Sequence, residues 1–290
     1  MANTFKSHGK INLSLDVVGI RDDGYHLISS VMAEIELCDV ITVSLEKSDK
    51  FENEIVLSCN KPYIPCNEKN SAYKAAQIML ELSGKHNVKV VIDVDKRLPV
   101  AGGLGGSSTN GATVIKALNT MLECNFDADK LRETAVKIGA DVPFFIEGGI
   151  ALAEGIGEKI TKIDTSFSAL LLIAKSGKGA NSKNVYTQFD AMEEKAPFTT
   201  KKMLKALKTS VGVAECLGNM LTPVTKKTQP SVVNIKETMK RYGALGAEMS
   251  GSGSSVYGIF DSVRACEKAY TAVKNLYPDA DVFITRIKNK

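Results

Sequence analysis

The sequence predicts an α+β chain of two domains, and three observations carry that prediction. Period-two apolar alternation and three- to four-residue apolar spacing succeed one another along the whole length. A glycine–serine stretch sits between a strand-like run and a helix-like run. The character of the chain then changes near residues 162–168, ahead of the apolar run Ala169 to Ala174, which puts a boundary after Asp164 and divides the chain into 1–164 and 165–290. At 290 residues the chain is long enough to bury a large core.

In order, Lys10 to Asp16 alternates. Ile11, Leu13 and Leu15 share one face, and Lys10, Asn12 and Ser14 the other, so Lys10 and Asn12 are polar neighbours, on a solvated strand edge or in a site. Arg21, Asp22, Asp23 and Gly24 form a turn before Tyr25 and His26. That aromatic–imidazole pair is either a ledge for a flat ring or ordinary packing. Residues 28–45 read as two strands with a bend near Cys38 and Asp39, and 50–70, with Pro62 and Pro65, as an irregular surface excursion. Ser71 to Leu82 has helical spacing and stops at Gly84, and Val88 to Asp95 is a half-buried strand.

The central stretch follows. Glycines at 102, 103, 105 and 106 precede hydroxyls at Ser107, Ser108 and Thr109, and a helix to Leu122 presents Ala112, Ile115, Leu118, Met121 and Leu122. Glycine permits positive φ and removes the Cβ that holds a ligand away, so successive N–H groups can face one anion. A helix N-terminus, capped here by Ser107, Ser108 or Thr109, adds unpaired N–H groups and partial positive charge. The stretch therefore reads as a phosphate cradle, with a flexible surface loop as the alternative. It is neither a Walker loop, because Ser107 follows Gly106 where Lys is required, nor a dinucleotide fingerprint, because counting from Gly103 and Gly105 the third place is Ser108.

Asp127 caps a helix to Ile138. Pro143 is expected to force Val142 out of the helical region, leaving Asp141 preorganised on a rigid elbow unless it is a turn residue bonding its own backbone. Residues 148–157 form a short strand. Beyond the boundary come a buried strand at Ala169 to Ala174, a weakly periodic region over 177–225, a helix from Ser231 to Arg241, and a second glycine–serine loop from Met249 to Ser255. The strand Val256 to Phe260, a helix through Val263, Cys266, Tyr270, Val273 and Tyr277, and a strand from Val282 to Ile287 complete the α+β second half.

Composition narrows the function. A net charge of +4 without a basic run argues against a nucleic-acid partner and suits anionic substrates. The longest apolar run falls far below the roughly 18 residues of a membrane span. The first ten residues lack the apolar core of a secretory signal, so a cytoplasmic chain with reduced, scattered cysteines is expected.

Lys10-Ile-Asn-Leu13, Pro99-Val-Ala-Gly-Gly-Leu-Gly-Gly-Ser-Ser108 and Ser250-Gly-Ser-Gly-Ser-Ser255 together resemble, in the right order, the three motifs of the GHMP small-molecule kinases. Arg21 to His26 and Gly139 to Ile146 resemble signatures of the branch that acts on a cytidylyl diphosphate sugar alcohol. The resemblance implies an N-terminal domain like that of a small ribosomal protein, a ferredoxin-like C-terminal domain, and an active site in the cleft between them. It implies ATP and Mg²⁺, transfer of the γ-phosphoryl to a hydroxyl of the methylerythritol part, and a monomer or weak homodimer. By position, Asp141 is the base and Lys10 its charged partner, which would keep Asp141 ionised. Pro99, Val100, Ala101, Gly102, Gly103, Leu104, Gly105, Gly106, Ser107, Ser108 and Thr109 hold ATP. Asn12, Tyr25 and His26 line the diphosphocytidyl pocket, with Tyr25 stacking on cytosine and Tyr186 on the ring's opposite side. The loop departs from the family pattern in having Ser107 for a third successive glycine and Thr109-Asn110 after it, which leaves the phosphate-binding hydroxyl open among Ser107, Ser108 and Thr109. Kinases of mevalonate- or homoserine-type acceptors, and a non-catalytic binding protein on the same fold, are the alternatives.

Overall fold

The computed structural model describes residues 2–48, 52–209 and 212–288, and the chain forms two compact units that interleave along the sequence. One comprises Met1–Gly9, Cys38–Leu98 and Gly105–Gly148, the other Lys10–Leu37, Pro99–Leu104 and Gly149–Lys290. These units do not follow the single cut after Asp164, because two long strands and the glycine stretch each run on from one unit to the other.

The long strands are β1 (Ala2–Ile20) and β2 (His26–Lys47). The first unit adds β3 (Glu54–Cys59), α1 (Ser71–Ser83), β4 (Val88–Asp95), α2 (Gly106–Met121), α3 (Ala128–Val136) and α4 (Val142–Glu147). β4 lies antiparallel to residues 40–47 of β2 and parallel to β3.

Four expectations are corrected in this unit. β2 is one strand of 22 residues with no break at Cys38 and Asp39, because the buried Asp39 carboxylate is satisfied where it stands. It accepts the backbone N–H groups of Arg97 and Leu98 (both 2.8 Å) and pairs with the Lys96 ammonium. The excursion over 50–70 contains β3, where Leu57 points inward between exposed Val56 and Ser58; residues 50 and 51 lie outside the described residues. Helix α2 has no side-chain cap and starts from Gly105, whose φ of 69° only glycine adopts readily. Val142 opens α4 in helical geometry, since proline is tolerated in a first helical turn, and Asp141 occupies the N-cap position at φ −82°, ψ −10°.

Elsewhere the local rules hold. Asn70 caps α1 by accepting from Ala72 N at 2.9 Å, Gly84 ends it at φ 61°, and Asp127 caps α3 by accepting from Lys130 N at 2.8 Å. Helix α2 is buried all round over the two turns from Thr109 to Ile115, rather than along one stripe. A Cβ on its Gly111 would lie 3.2 Å from the Ser71 carbonyl, so glycine there sets the close approach to α1.

The second unit adds β5 (Ile150–Gly155), β6 (Lys159–Lys162), β7 (Leu170–Lys175), α5 (Ser182–Asp190), α6 (Thr200–Thr209), β8 (Gly218–Asn219), α7 (Thr222–Thr228), α8 (Ser231–Arg241), β9 (Gly246–Met249), β10 (Val256–Phe260), α9 (Val263–Leu276) and β11 (Asp281–Arg286). β5 pairs with residues 28–33 of β2 and with β6, and β8 runs parallel to β1 at Ser14 and Leu15. An antiparallel sheet of order β11-β7-β10-β9 is covered by α8 and α9, whose Val232, Ile235, Met239, Cys266, Ala269 and Val273 share a core with Leu170, Leu172, Val256 and Phe260. This is the α+β arrangement the sequence predicts for the second half.

Burial in that core, with Glu267 adding to it, pushes the Cys266 thiol from its ordinary 9.0 up to about 11. Burial, then Glu248, likewise holds the Tyr257 hydroxyl well above its usual value. A raised acid favours the neutral folded form, so its stabilisation is complete below the unfolded pKa and is lost as pH climbs through the folded one. The urea midpoint is therefore expected to fall between pH 9 and pH 11, and to fall less in Cys266→Ala; a midpoint flat over that window contradicts the burial of these groups.

Candidate active site

In the second unit the two glycine–serine loops interlock through their backbones. Ser255 N donates to Gly102 O (3.1 Å), Ser250 Oγ to Gly103 O (2.9 Å), and Lys10 N to Leu104 O (3.0 Å). A Cβ on Gly103, at φ 77°, would stand 2.0 Å from the Ser250 carbonyl oxygen, and one on Gly102 would stand 2.4 Å from Ser255 Oγ. The absent side chain of Gly103 thus makes room for the Ser250 backbone and that of Gly102 for the Ser255 hydroxyl, a correction to the expectation that they make room for a ligand. Ala101 carries a positive φ of 52° without being glycine, a strained geometry typical of functional loops. Ser255 Oγ is buried with no hydrogen-bond partner among the described residues. An unsatisfied donor beside a glycine loop fits an anion's oxygen.

Lys10 and Asn12 are only 3% and 1% exposed, so the strand face they share is not a solvated edge. Lys10 Nζ donates to Asn12 Oδ1 (2.6 Å), Asn12 Nδ2 to Ser30 Oγ (2.8 Å), and Ser30 Oγ to Ser14 O (2.6 Å). Each donor in this row dictates the orientation of the next, so the amide oxygen of Asn12 faces the ammonium. Tyr257 adds a bond to the Asn12 carbonyl oxygen at 2.8 Å, and Asn219 Nδ2 holds the second loop through Met249 O (2.9 Å) and Gly251 O (2.8 Å). Sequence reasoning missed Ser30 and Asn219, because a lone serine and a lone asparagine carry no spacing signal.

In the first unit, Gly105, Gly106, Ser107, Ser108 and Thr109 form the start of α2, whose first turn contains no acidic residue, as an anion site requires. Thr109 is buried and its Oγ1 accepts from Ser7 (3.1 Å), while Ser107 Oγ shares a hydrogen bond with Ser71 Oγ (2.8 Å). Asp141 stands half-buried at the head of α4 in the same unit. Among the described residues no group of three or more His, Cys, Asp or Glu side chains could hold a metal ion.

Of the residues expected to bind the base, Tyr25, His26 and Tyr186 all lie in the second unit, and two of them touch. Tyr25 follows its turn at 60% exposure. Tyr186 packs on the His26 ring itself, with centroids 4.6 Å apart and planes 28° apart, and His26 Nε2 lies 2.7 Å from Asp190 Oδ1. Asp190 also escaped the sequence reading, although its spacing of four from Tyr186 puts both on one helix face.

The model of the GHMP kinases N terminal domain matches residues 70–149, and that of the GHMP kinases C terminal region matches residues 203–279. A 4-diphosphocytidyl-2-C-methyl-D-erythritol kinase of Clostridium botulinum is 40% identical over 285 residues, covering 97% of this chain and 98% of the relative. The chain belongs to the GHMP kinases. A Clostridium perfringens 4-diphosphocytidyl-2-C-methyl-D-erythritol kinase is 40% identical over 288 residues, 98% of each chain. Among solved structures, a 4-(cytidine 5'-diphospho)-2C-methyl-D-erythritol kinase superposes with a TM-score of 0.81 at 28% identity, over 99% of this chain and 100% of the other. A homoserine kinase from Cytophaga hutchinsonii, at TM-score 0.78 and 18% identity over 98% and 94%, shares the fold. This GHMP kinase is a small-molecule kinase of the two-domain α+β type.

The interlock makes a prediction by comparison. Gly103→Ala meets both a positive φ and a backbone oxygen, whereas Gly24→Ala, at φ 83° with nothing within 4 Å, meets only the φ. Gly24→Ala is expected to lose about 1 to 2 kcal/mol in chemical denaturation and Gly103→Ala at least about 2 kcal/mol more. Equal losses would show that the loops can separate without penalty.

Proposed function

We propose that the chain transfers the γ-phosphoryl group of ATP to the 2-hydroxyl of 4-diphosphocytidyl-2-C-methyl-D-erythritol, a step of non-mevalonate isoprenoid precursor synthesis. The observation that carries the substrate is the 40% identity, over nearly the full length, to kinases named for it. The buried Lys10–Asn12 pair beside the interlocked glycine loops supports the chemistry.

Phosphoryl transfer passes through a loose transition state, so positioning and charge stabilisation dominate over covalent chemistry. In this reading the backbone from Pro99 to Thr109 holds the phosphates, with the N-terminus of α2 and the orphaned Ser255 hydroxyl as donors. Ser108 is the phosphate-facing hydroxyl of the three, since Thr109 and Ser107 already bond Ser7 and Ser71. Asp141 accepts the proton of the substrate hydroxyl, and Lys10, its direction set by Asn12, supplies positive charge at the reacting end. Asn12, Tyr25, His26 and Tyr186 bind the cytidylyl substrate. Mg²⁺ takes few protein oxygens, for which the hydroxyl of Ser108 is suited, and when bound it would neutralise phosphate charge. The partners are small molecules, and the chain acts in the cytoplasm as a monomer or weak homodimer.

Asp141→Asn is expected to keep its affinity for a non-hydrolysable ATP analogue and to lose at least about 10²-fold in kcat; near-normal turnover would remove Asp141 as the base. Tyr25→Ala should raise the KM for the cytidylyl substrate and leave that for ATP in place. In a panel of acceptors, mevalonate and homoserine should not be phosphorylated, and turnover of either in preference to the cytidylyl compound contradicts the substrate assignment.

A further inference from the structure

The contact between His26 and Asp190 goes beyond holding a side chain in place. Tyr186 and Asp190 stand one turn apart on α5, and the helix is fixed in rotation by its buried Val185 and Phe189. Tyr186 packs against the face of the imidazole and Asp190 meets its edge at Nε2, 2.7 Å away. The ring, 11% exposed, is therefore held in plane and in rotation by one helix, with little freedom to exchange its two nitrogens.

A carboxylate accepts hydrogen bonds and donates none when ionised, so the ring nitrogen facing it carries the proton. Asp190 ends α5, where the partial negative charge of the helix C-terminus acts in the same sense. A neutral imidazole protonated at Nε2 has its lone pair at Nδ1, which leaves Nδ1 an acceptor. An acceptor matches a base edge that offers an amino group. Against a carbonyl it is left facing another acceptor, with both polar atoms unsatisfied.

We propose that Asp190 is a specificity-determining positioning residue: by taking the Nε2 proton of His26 it leaves Nδ1 as an acceptor, so that the base pocket selects an amino-bearing pyrimidine over its keto counterpart. The proposal rests on the reading above that His26 lines the pocket for the cytidylyl base. Asp190 touches no reacting atom and acts only through His26.

The test uses the full-length chain and compares kcat/KM for the cytidylyl substrate and its uridylyl counterpart in wild type, Asp190→Asn and Asp190→Ala. Nitrogen-15 imidazole NMR reads the tautomer of His26, one of only three histidines, identified by its loss in His26→Gln. Wild type should prefer the cytidylyl substrate by about 10- to 100-fold, with an unprotonated Nδ1. In Asp190→Asn, whose amide can donate to Nε2, the preference should shrink to within about threefold while the proton moves to Nδ1. Asp190→Ala should show the same loss of preference with mixed tautomers, and serves alone should the asparagine variant not fold. An unchanged preference in the variants, or an Nδ1–H in wild type, overturns the proposal. If wild type phosphorylates neither compound, the functional reading fails, and calorimetry with CDP and UDP then decides the role of Asp190. Equal binding of the two by wild type overturns it, and a CDP preference lost in Asp190→Asn upholds it.

Discussion

Two backbones pass each other at Gly103 and Ser250 more closely than any side chain allows, and the second unit's polar site depends on that approach. Were a Cβ present at Gly103, it would lie 2.0 Å from the Ser250 carbonyl oxygen, a distance no packing adjustment absorbs without parting the loops. The hydrogen bonds on either side, from Ser255 N to Gly102 O and from Ser250 Oγ to Gly103 O, form only at that separation. Leu104 then presents its carbonyl to Lys10 N, and Asn219 ties the second loop from behind. The two loops are tied to each other at these points, while the buried Ser255 Oγ has no hydrogen-bond partner among the described residues.

The same economy governs the row from Lys10 to Ser14. An ammonium taken out of water is tolerated only with strong acceptors around it, and the 2.6 Å bond to Asn12 Oδ1 is one of them. Because Ser30 Oγ accepts from Asn12 Nδ2 and donates to Ser14 O, the amide of Asn12 can point only one way. Buried Lys96 meets Asp39 and half-buried Lys236 meets Glu248, and those pairs fasten elements together.

Much of this was legible in the sequence, and the parts that were not have physical reasons. Val88 to Asp95 and Ser231 to Arg241 stand at the boundaries that periodicity gives them, since each has an uninterrupted face and clear flanking residues. The three motif segments were legible because glycine and serine clusters next to regular elements are uncommon. The expected break in β2 failed because Asp39 looks like a turn residue locally, and its partners lie nearly sixty residues downstream. The expected cap on α2 failed because Gly105 alone can take the φ that starts it. Which partner fills the space beside Gly102 and Gly103 is a long-range fact that no local spacing encodes. His26 was legible as a site residue while Asp190 was not, because a helix-end aspartate has many ordinary uses until its partner is known.

Hydrogen exchange read by mass spectrometry, with and without a non-hydrolysable ATP analogue, tests the central claim most directly. If the interlocked loops are the nucleotide's cradle, amides over 99–109 and 250–255 should gain protection together when the analogue binds, because stabilising one loop slows the opening of the other. Binding that protects other segments and leaves both of these unchanged would contradict it.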